Sequence, residues 1–156
     1  MMGDIMREQS GRSLIEIIGV LAIGAIMVSG TYAIYNSTNQ KQKRLIASEN
    51  IKEIVTKTKT LLEYSGYQNV SVDFLIESGA LQNDKAPAGD QNWSVTSNVD
   101  GTEFSINLTG LSFDECAYFT TKKFDWLEHI SVNGYSSGES SYCLKTGDNN
   151  ISFFAR

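Results

Sequence analysis

Hydrophobic and polar positions change their spacing twice along this chain. Residues 17–35 are 19 consecutive residues without a formal charge, which as a helix would extend about 28 Å, close to the thickness of a hydrocarbon core. Further on, the apolar residues thin to a stripe. Ala47, Ile51, Ile54, Thr58 and Leu61 recur at steps of three and four, with Ile46, Val55 and Leu62 widening the face. That period predicts an amphipathic helix. Its other face carries Lys41, Lys43, Arg44, Lys52, Lys57 and Lys59 among Glu49, Glu53 and Glu63, and no proline interrupts residues 14–64. One helix of about 75 Å is predicted, apolar all round in its first half and amphipathic in its second.

After residue 65 the pattern shortens. Residues 71–79 predict a short helix with Ser71 as its cap and Gly79 as its stop. Residues 82–92 hold the only proline, Pro87, among Gly89, Asn83, Asp84 and Asp90, which is loop chemistry. Residues 93–99 and 103–108 alternate around Asp100-Gly101 and predict a hairpin. Ser112 and Glu115 form a capping box for a second short helix through residues 116–119. Further strands are predicted at 129–133, 141–145 and 151–154. The expected fold is α+β: a long N-terminal helix packed on a small antiparallel sheet with short helices.

Charge divides along the same lines. Residues 1–11 carry one basic and two acidic groups, residues 12–65 seven and four, and residues 66–156 five and twelve, giving net charges of −1, +3 and −7. This asymmetry argues against a uniform nucleic-acid-binding surface, and it lets the positive part of one copy face the negative part of another. An acidic solvated surface accounts for the head alone equally well. The two cysteines, Cys116 and Cys143, fall in the C-terminal third of a chain with an export-like segment. An oxidising compartment and one disulfide fit that context. The bond would close a loop worth roughly 3 to 4 kcal/mol in the chain-entropy model. Two buried free thiols in a cytosolic protein are the alternative.

At the mouth of the apolar run stand Gly11, Arg12 and Glu16. A carboxylate at the centre of a membrane helix costs roughly 2.5 to 3.5 kcal/mol, and less near the interface. A cut after Gly11 would place a free amine on Arg12, one turn before Glu16, where it could pair with Glu16 of a neighbouring subunit. A glutamate snorkelling to the headgroups is the alternative. Thr31-Tyr32-Ala33 also resembles a small-residue signal-peptidase site, but the run is long for a signal peptide and the helical pattern continues past the candidate cut. Gly19, Ala22, Ala25, Ser29 and Ala33 form a small-residue stripe suited to close helix packing. Gly24 and Gly30 are places where such a helix could unwind.

Enzyme chemistry is not legible. The only histidine is His129, and no nucleophile has a base and an orienting group beside it in any readable pattern. Two cysteines and one histidine give no zinc spacing. Asp148-Asn149-Asn150 could offer oxygens to calcium, although a turn explains the same residues. No cofactor and no metal are expected. A glycine-rich phosphate loop and interleaved basic and aromatic residues are both missing, so nucleotide and nucleic-acid binding are not expected. Sequons begin at Asn36, Asn69, Asn107 and Asn150.

A leader ending in Gly11, a mature chain starting at Arg12-Ser13-Leu14-Ile15, and Glu16 before an apolar helix resemble the precursor of a type IV pilin. In the head, residues 74–81 (Phe-Leu-Ile-Glu-Ser-Gly-Ala-Leu), Asn92-Trp93, Phe104-Ser105-Ile106, Leu111-Ser112 before Cys116, and Cys143 before Asn150-Ile151-Ser152-Phe153 are together similar to type IVb major pilins, including those of conjugative thin pili. The family usually starts its mature chain with an aromatic or aliphatic residue that becomes N-methylated, where this chain has Arg12. Translation from Met6 would shorten the leader to six residues.

The resemblance implies a leader over 1–11, a transmembrane and filament-core helix over 12–36, an amphipathic half over 37–65 and a globular head over 66–156. It implies cutting after Gly11 by prepilin peptidase, residence in the bacterial inner membrane, and handling by a pilus assembly platform. The product would be an extracellular homo-oligomeric helical filament, with Glu16 serving assembly and a Cys116–Cys143 disulfide bounding part of the subunit surface. The implied role is structural, not enzymatic. Minor pilins and type II secretion pseudopilins share the N-terminal signature, and a released periplasmic binding domain is the alternative from another class.

Overall fold

The proline-free stretch forms helix α1 (Asp4–Leu62), and the helix assignment runs through Gly24 and Gly30. The computed structural model describes residues 4–89, 91–136 and 142–156, with side chains described outside 4–13 and 24–33. The chain divides into two units, Met1–Lys41 and Gln42–Arg156. The described side chains of the first unit are those of residues 14–23 and 34–41, all exposed.

In the second unit, the last turns of α1 bury Ala47, Ile51, Ile54, Val55, Thr58 and Leu62. The stripe is the one its spacing predicts, with two corrections: Ile46, expected to widen the face, is 41% exposed, and the C-terminal end of the stripe shifts by one residue. Leu62 is the buried member at the C-terminal end, while Leu61 is 51% exposed. At about 100° per residue, Leu62 lies about 20° around the helix from the fully buried Ile51 and Leu61 about 80° from it, which selects position 62 over 61.

A 3₁₀ turn (Tyr67–Asn69) leads into helix α2 (Val72–Glu77). The Ser71 hydroxyl caps α2 by accepting from the Phe74 N–H at 3.1 Å. Its end is a Schellman motif: the Ala80 N–H donates to Leu75 O, the Gly79 N–H donates to Ile76 O, and Gly79 sits at φ 74°. The expected stop at Gly79 therefore has its mechanism. Helix α3 (Phe113–Thr121) starts with both halves of the capping box, since Ser112 Oγ accepts from Glu115 N and Glu115 Oε2 accepts from Ser112 N.

Among the described residues, five strands follow the order β1-β2-β5-β3-β4: β1 (Ser94–Ser97), β2 (Phe104–Leu111), β3 (His129–Val132), β4 (Tyr135–Ser136) and β5 (Asn149–Ala155). Every pairing is antiparallel. Alternation sends Phe104, Ile106 and Leu108 of β2 and Ile151, Phe153 and Ala155 of β5 into the core. Leu108 pairs with Ile151 but Leu111 with Asn149, so one extra residue is accommodated at Thr109-Gly110, with Gly110 at φ 69°. This bulge resets the phase and turns Leu111 inward. Gly89 lies against it: a Cβ there would stand 2.3 Å from the Thr109 carbonyl oxygen.

The strand expected at 141–145 is not formed by residues 142–145, which are irregular, while 141 lies outside the described residues. Strand β3 pairs with β5 on one side and on the other with β4, reached through Asn133-Gly134 with φ of 52° and 84°. Two successive positive φ values make the tight turn that an Asn-Gly pair favours, and among the described residues the strand that follows is Tyr135–Ser136. Helix α3 is fastened to α1 by Lys122, whose ammonium donates to Ser48 Oγ and to the Tyr118 hydroxyl and lies 5.3 Å from the Tyr118 ring centre.

Tyr67 is buried against Phe104, ring centres 4.8 Å apart. Burial raises its pKa above the usual phenol value, and the charge of Glu63 raises it further. A raised folded-state value means that the contribution is whole below the unfolded pKa near 10 and is lost as pH climbs through it toward the folded value. The thermal midpoint should therefore fall as pH rises above about 10, and Tyr67→Phe should flatten that part of the profile.

Candidate assembly surface

Two surfaces stand out, one on each unit. On the first, Ile15, Val20, Leu21, Ile34 and Tyr35 are each more than two-thirds exposed. A helix that is apolar on every side is stable only when covered by lipid or protein, since a patch of this size is not left to water. Glu16 is exposed among them, beside a shallow depression that it shares with Ile17, Val20 and Leu21. It is the only formal charge between Ser13 and Gln40. Any covering that desolvates the surrounding isoleucines also desolvates this carboxylate, which then requires a cationic or hydrogen-bonding partner. The side chains of Gly11 and Arg12, and those of Ala25, Ser29 and Ala33, lie outside the described residues. Among the described residues no helix is long and apolar enough to cross a membrane; residues 24–33, the middle of the uncharged run, are not among the described side chains.

The second surface is built around the disulfide. Cys116, fully buried on α3, bonds Cys143, and their Cα atoms are 5.8 Å apart. Cys143 lies in irregular chain, so the bond ties α3 to a loop and not to a penultimate strand. The loop has a second clamp that sequence reasoning missed. Asn149 is fully buried, and its amide is saturated: Nδ2 donates to Leu111 O (3.2 Å) and Leu144 O (3.1 Å). Its Oδ1 accepts from Leu144 N (2.6 Å) and from Asn133 Nδ2 (3.0 Å). One side chain thus joins the end of β2, the loop beyond Cys143 and the Asn133-Gly134 turn. Asn133 extends the network to Tyr142 O and to the Asn150 N–H.

Around this hub three large side chains stay exposed, Tyr135 (57%), Tyr142 (67%) and Leu144 (46%). Residues 142–144 are thus fastened by the disulfide and the Asn149 network while their larger side chains stay exposed. Asp148-Asn149-Asn150 is a turn and strand start: Gly147 and Asp148 have φ of 84° and 58°, and the Asn149 oxygen is spent on protein donors. His129 is a half-buried strand residue stacked on Phe154, ring centres 4.1 Å apart. Among the described residues no group of three or more His, Cys, Asp or Glu side chains could hold a metal ion.

No family model matches this chain, and no curated protein matches its sequence. Among solved structures it is similar to TcpA, a type IV pilin from Vibrio cholerae El Tor biotype, with a TM-score of 0.52 and 13% identity. The match covers 74% of this chain and 99% of that one. At that identity the likeness shows the fold, and the fold is that of a type IV pilin: a long N-terminal helix, a small antiparallel sheet and the Cys116–Cys143 bond.

Asn149 makes four hydrogen bonds in a site with no water access, so truncation strands donors and acceptors on three segments. Asn149→Ala should lower unfolding free energy by about 3 kcal/mol or more in denaturant titrations. Reducing the disulfide should cost a comparable amount, roughly 3 to 4 kcal/mol, measured with and without reductant.

Proposed function

We propose that this chain is a structural subunit of a bacterial type IV pilus of the type IVb kind. The observation that carries the reading is the pairing of a pilin-fold head with an N-terminal helix that is apolar on all described sides and carries a single carboxylate, Glu16. In this reading prepilin peptidase cuts after Gly11, and the helix over 12–36 holds the subunit in the inner membrane until the assembly platform adds it to a fibre. The uncharged run of 19 residues supports the membrane stage. In the fibre the helices cover one another, and Glu16 meets the amine of a neighbour's Arg12. The exposed disulfide loop would lie on the subunit surface.

Glu16→Ala should leave the head folded and disulfide-bonded, and the subunit inserted in the membrane, yet absent from sheared surface filaments. Normal piliation by this variant would sink the assembly role. N-terminal sequencing of the mature protein provides an independent check: Arg12 is the expected first residue, whereas a terminus near Asn36 would mean release by ordinary signal peptidase.

A further inference from the structure

The hydrogen-bond network behind the disulfide loop ends on a residue with covalent chemistry of its own. Asn133-Gly134 is the only Asn-Gly pair in the chain. In such a pair the glycine amide nitrogen can attack the asparagine side-chain carbonyl, because glycine carries no Cβ to shield it and its backbone bends readily. Gly134 is exposed, and a Cβ built on it would meet nothing within 4 Å, so no neighbouring segment covers this glycine.

The restraint lies in the Asn133 side chain. Its Oδ1 accepts from the Asn150 N–H at 2.9 Å, and its Nδ2 donates to Asn149 Oδ1 at 3.0 Å and to Tyr142 O at 3.3 Å. The main chain is pinned as well, since the Asn133 N–H donates to Asn150 O at 2.8 Å. Attack makes Cγ tetrahedral and expels Nδ2, so all three side-chain bonds are given up on the way. Tyr142 is the residue before Cys143, and Asn149 is bonded to both the N–H and the carbonyl of Leu144, the residue after it. The disulfide thus holds one acceptor of Nδ2 directly and steadies the other.

We propose that Asn133 is a site of spontaneous deamidation that the Cys116–Cys143 bond keeps closed and that opens when this bond is reduced. A dithiol reduces the disulfide by exchange and is itself oxidised. The Gly134 nitrogen then bonds to Cγ, the Cγ–Nδ2 bond breaks, and the Gly134 proton leaves with Nδ2 as ammonia. Water opens the resulting succinimide to aspartate or isoaspartate. Aspartate sets a carboxylate oxygen against Asn149 Oδ1 and Tyr142 O, acceptors facing an acceptor, and isoaspartate adds a methylene to the backbone of the turn. Asn149 cannot compensate by flipping its amide, because Nδ2 serves Leu111 O and Leu144 O while Oδ1 serves Leu144 N. The loop then no longer docks as before, and a head that has once been reduced keeps a permanent mark. The proposal is independent of the filament reading, and its failure would leave that reading untouched.

The test follows the full-length chain in detergent micelles through weeks in mildly alkaline buffer, with mass spectrometry of the fragment carrying position 133 reading the change from amide to acid. A synthetic peptide of residues 130–136, with and without the same dithiol, gives the unrestrained rate. The oxidised chain should convert at least about tenfold more slowly than the peptide, because the reaction waits for the locally opened state. Dithiol, and separately Asn149→Ala with the disulfide kept, should each speed conversion in the chain about fivefold or more. Every form is held below its thermal midpoint. Val95→Ala loosens the core at β1, away from the network, and should leave the rate unchanged. An oxidised chain as fast as the peptide, no acceleration by one or the other treatment, or equal acceleration by Val95→Ala would overturn the proposal.

Discussion

Strand β5 pairs along both edges, with β2 on one side and β3 on the other, and the rest of the head is arranged around that double pairing. Without it the sheet is two hairpins, β1–β2 and β3–β4, and an isolated two-stranded hairpin is marginal in water. The same strand supplies the centre of the core. Phe153 is fully buried, with the rings of Phe119, Phe124 and Trp126 around it at 5.8, 5.9 and 6.5 Å. Its first residue, Asn149, fastens the disulfide loop. Helix α1 then lies on a sheet whose inner face is already continuous, and its stripe of Ala47, Ile51, Ile54 and Leu62 needs only to be apolar and in phase.

What could be read from the sequence was local. Ser71 and Gly79 of α2, the capping box of α3 and the turn at Asp100-Gly101 all act within a few residues, and each forms as its chemistry requires. Strand β5 was also legible, because period-two alternation in a short apolar run survives whatever it pairs with. The 141–145 strand failed because an alternating run next to a cysteine looks the same whether it joins a sheet or is held by side chains. Here Leu144 N and O are taken by the Asn149 amide, which removes them from any ladder. Asn133, expected as the end of a strand over 129–133, instead starts the turn with Gly134 that leads to β4. Asn149 was not readable as a hub, since its partners lie 5, 16 and 38 residues away and only the folded chain brings them together.

The candidate surfaces divide in the same way. The apolar helix and Glu16 are written in composition alone, because a run without charge announces that it avoids water whatever the tertiary structure. The exposed apolar residues of the head have no such mark. Tyr135, Tyr142 and Leu144 are scattered through a polar stretch, and they gather only because the Asn149 network and the Cys116 bond pull their segments to one place. Glu115 behaves similarly: besides capping α3 it accepts from the Gly89 N–H at 3.4 Å, tying the long loop down where Gly89 passes the Thr109 carbonyl.

A helix that is apolar on every side has little to distinguish one axial position from another when it packs among copies of itself. Sliding by one turn exchanges leucine for isoleucine contacts of nearly equal worth, because burial of apolar area is non-directional. A single carboxylate removes that degeneracy. In the proposed fibre, Glu16 is satisfied only where a neighbour's cation stands opposite, and in any other register it is a desolvated charge without a partner, which costs several kcal/mol. The charge therefore contributes little net attraction and much discrimination, in the way that one polar residue sets the register of an otherwise uniform coiled coil. On this argument the uniform apolar surface supplies the affinity of assembly, and Glu16 supplies its geometry.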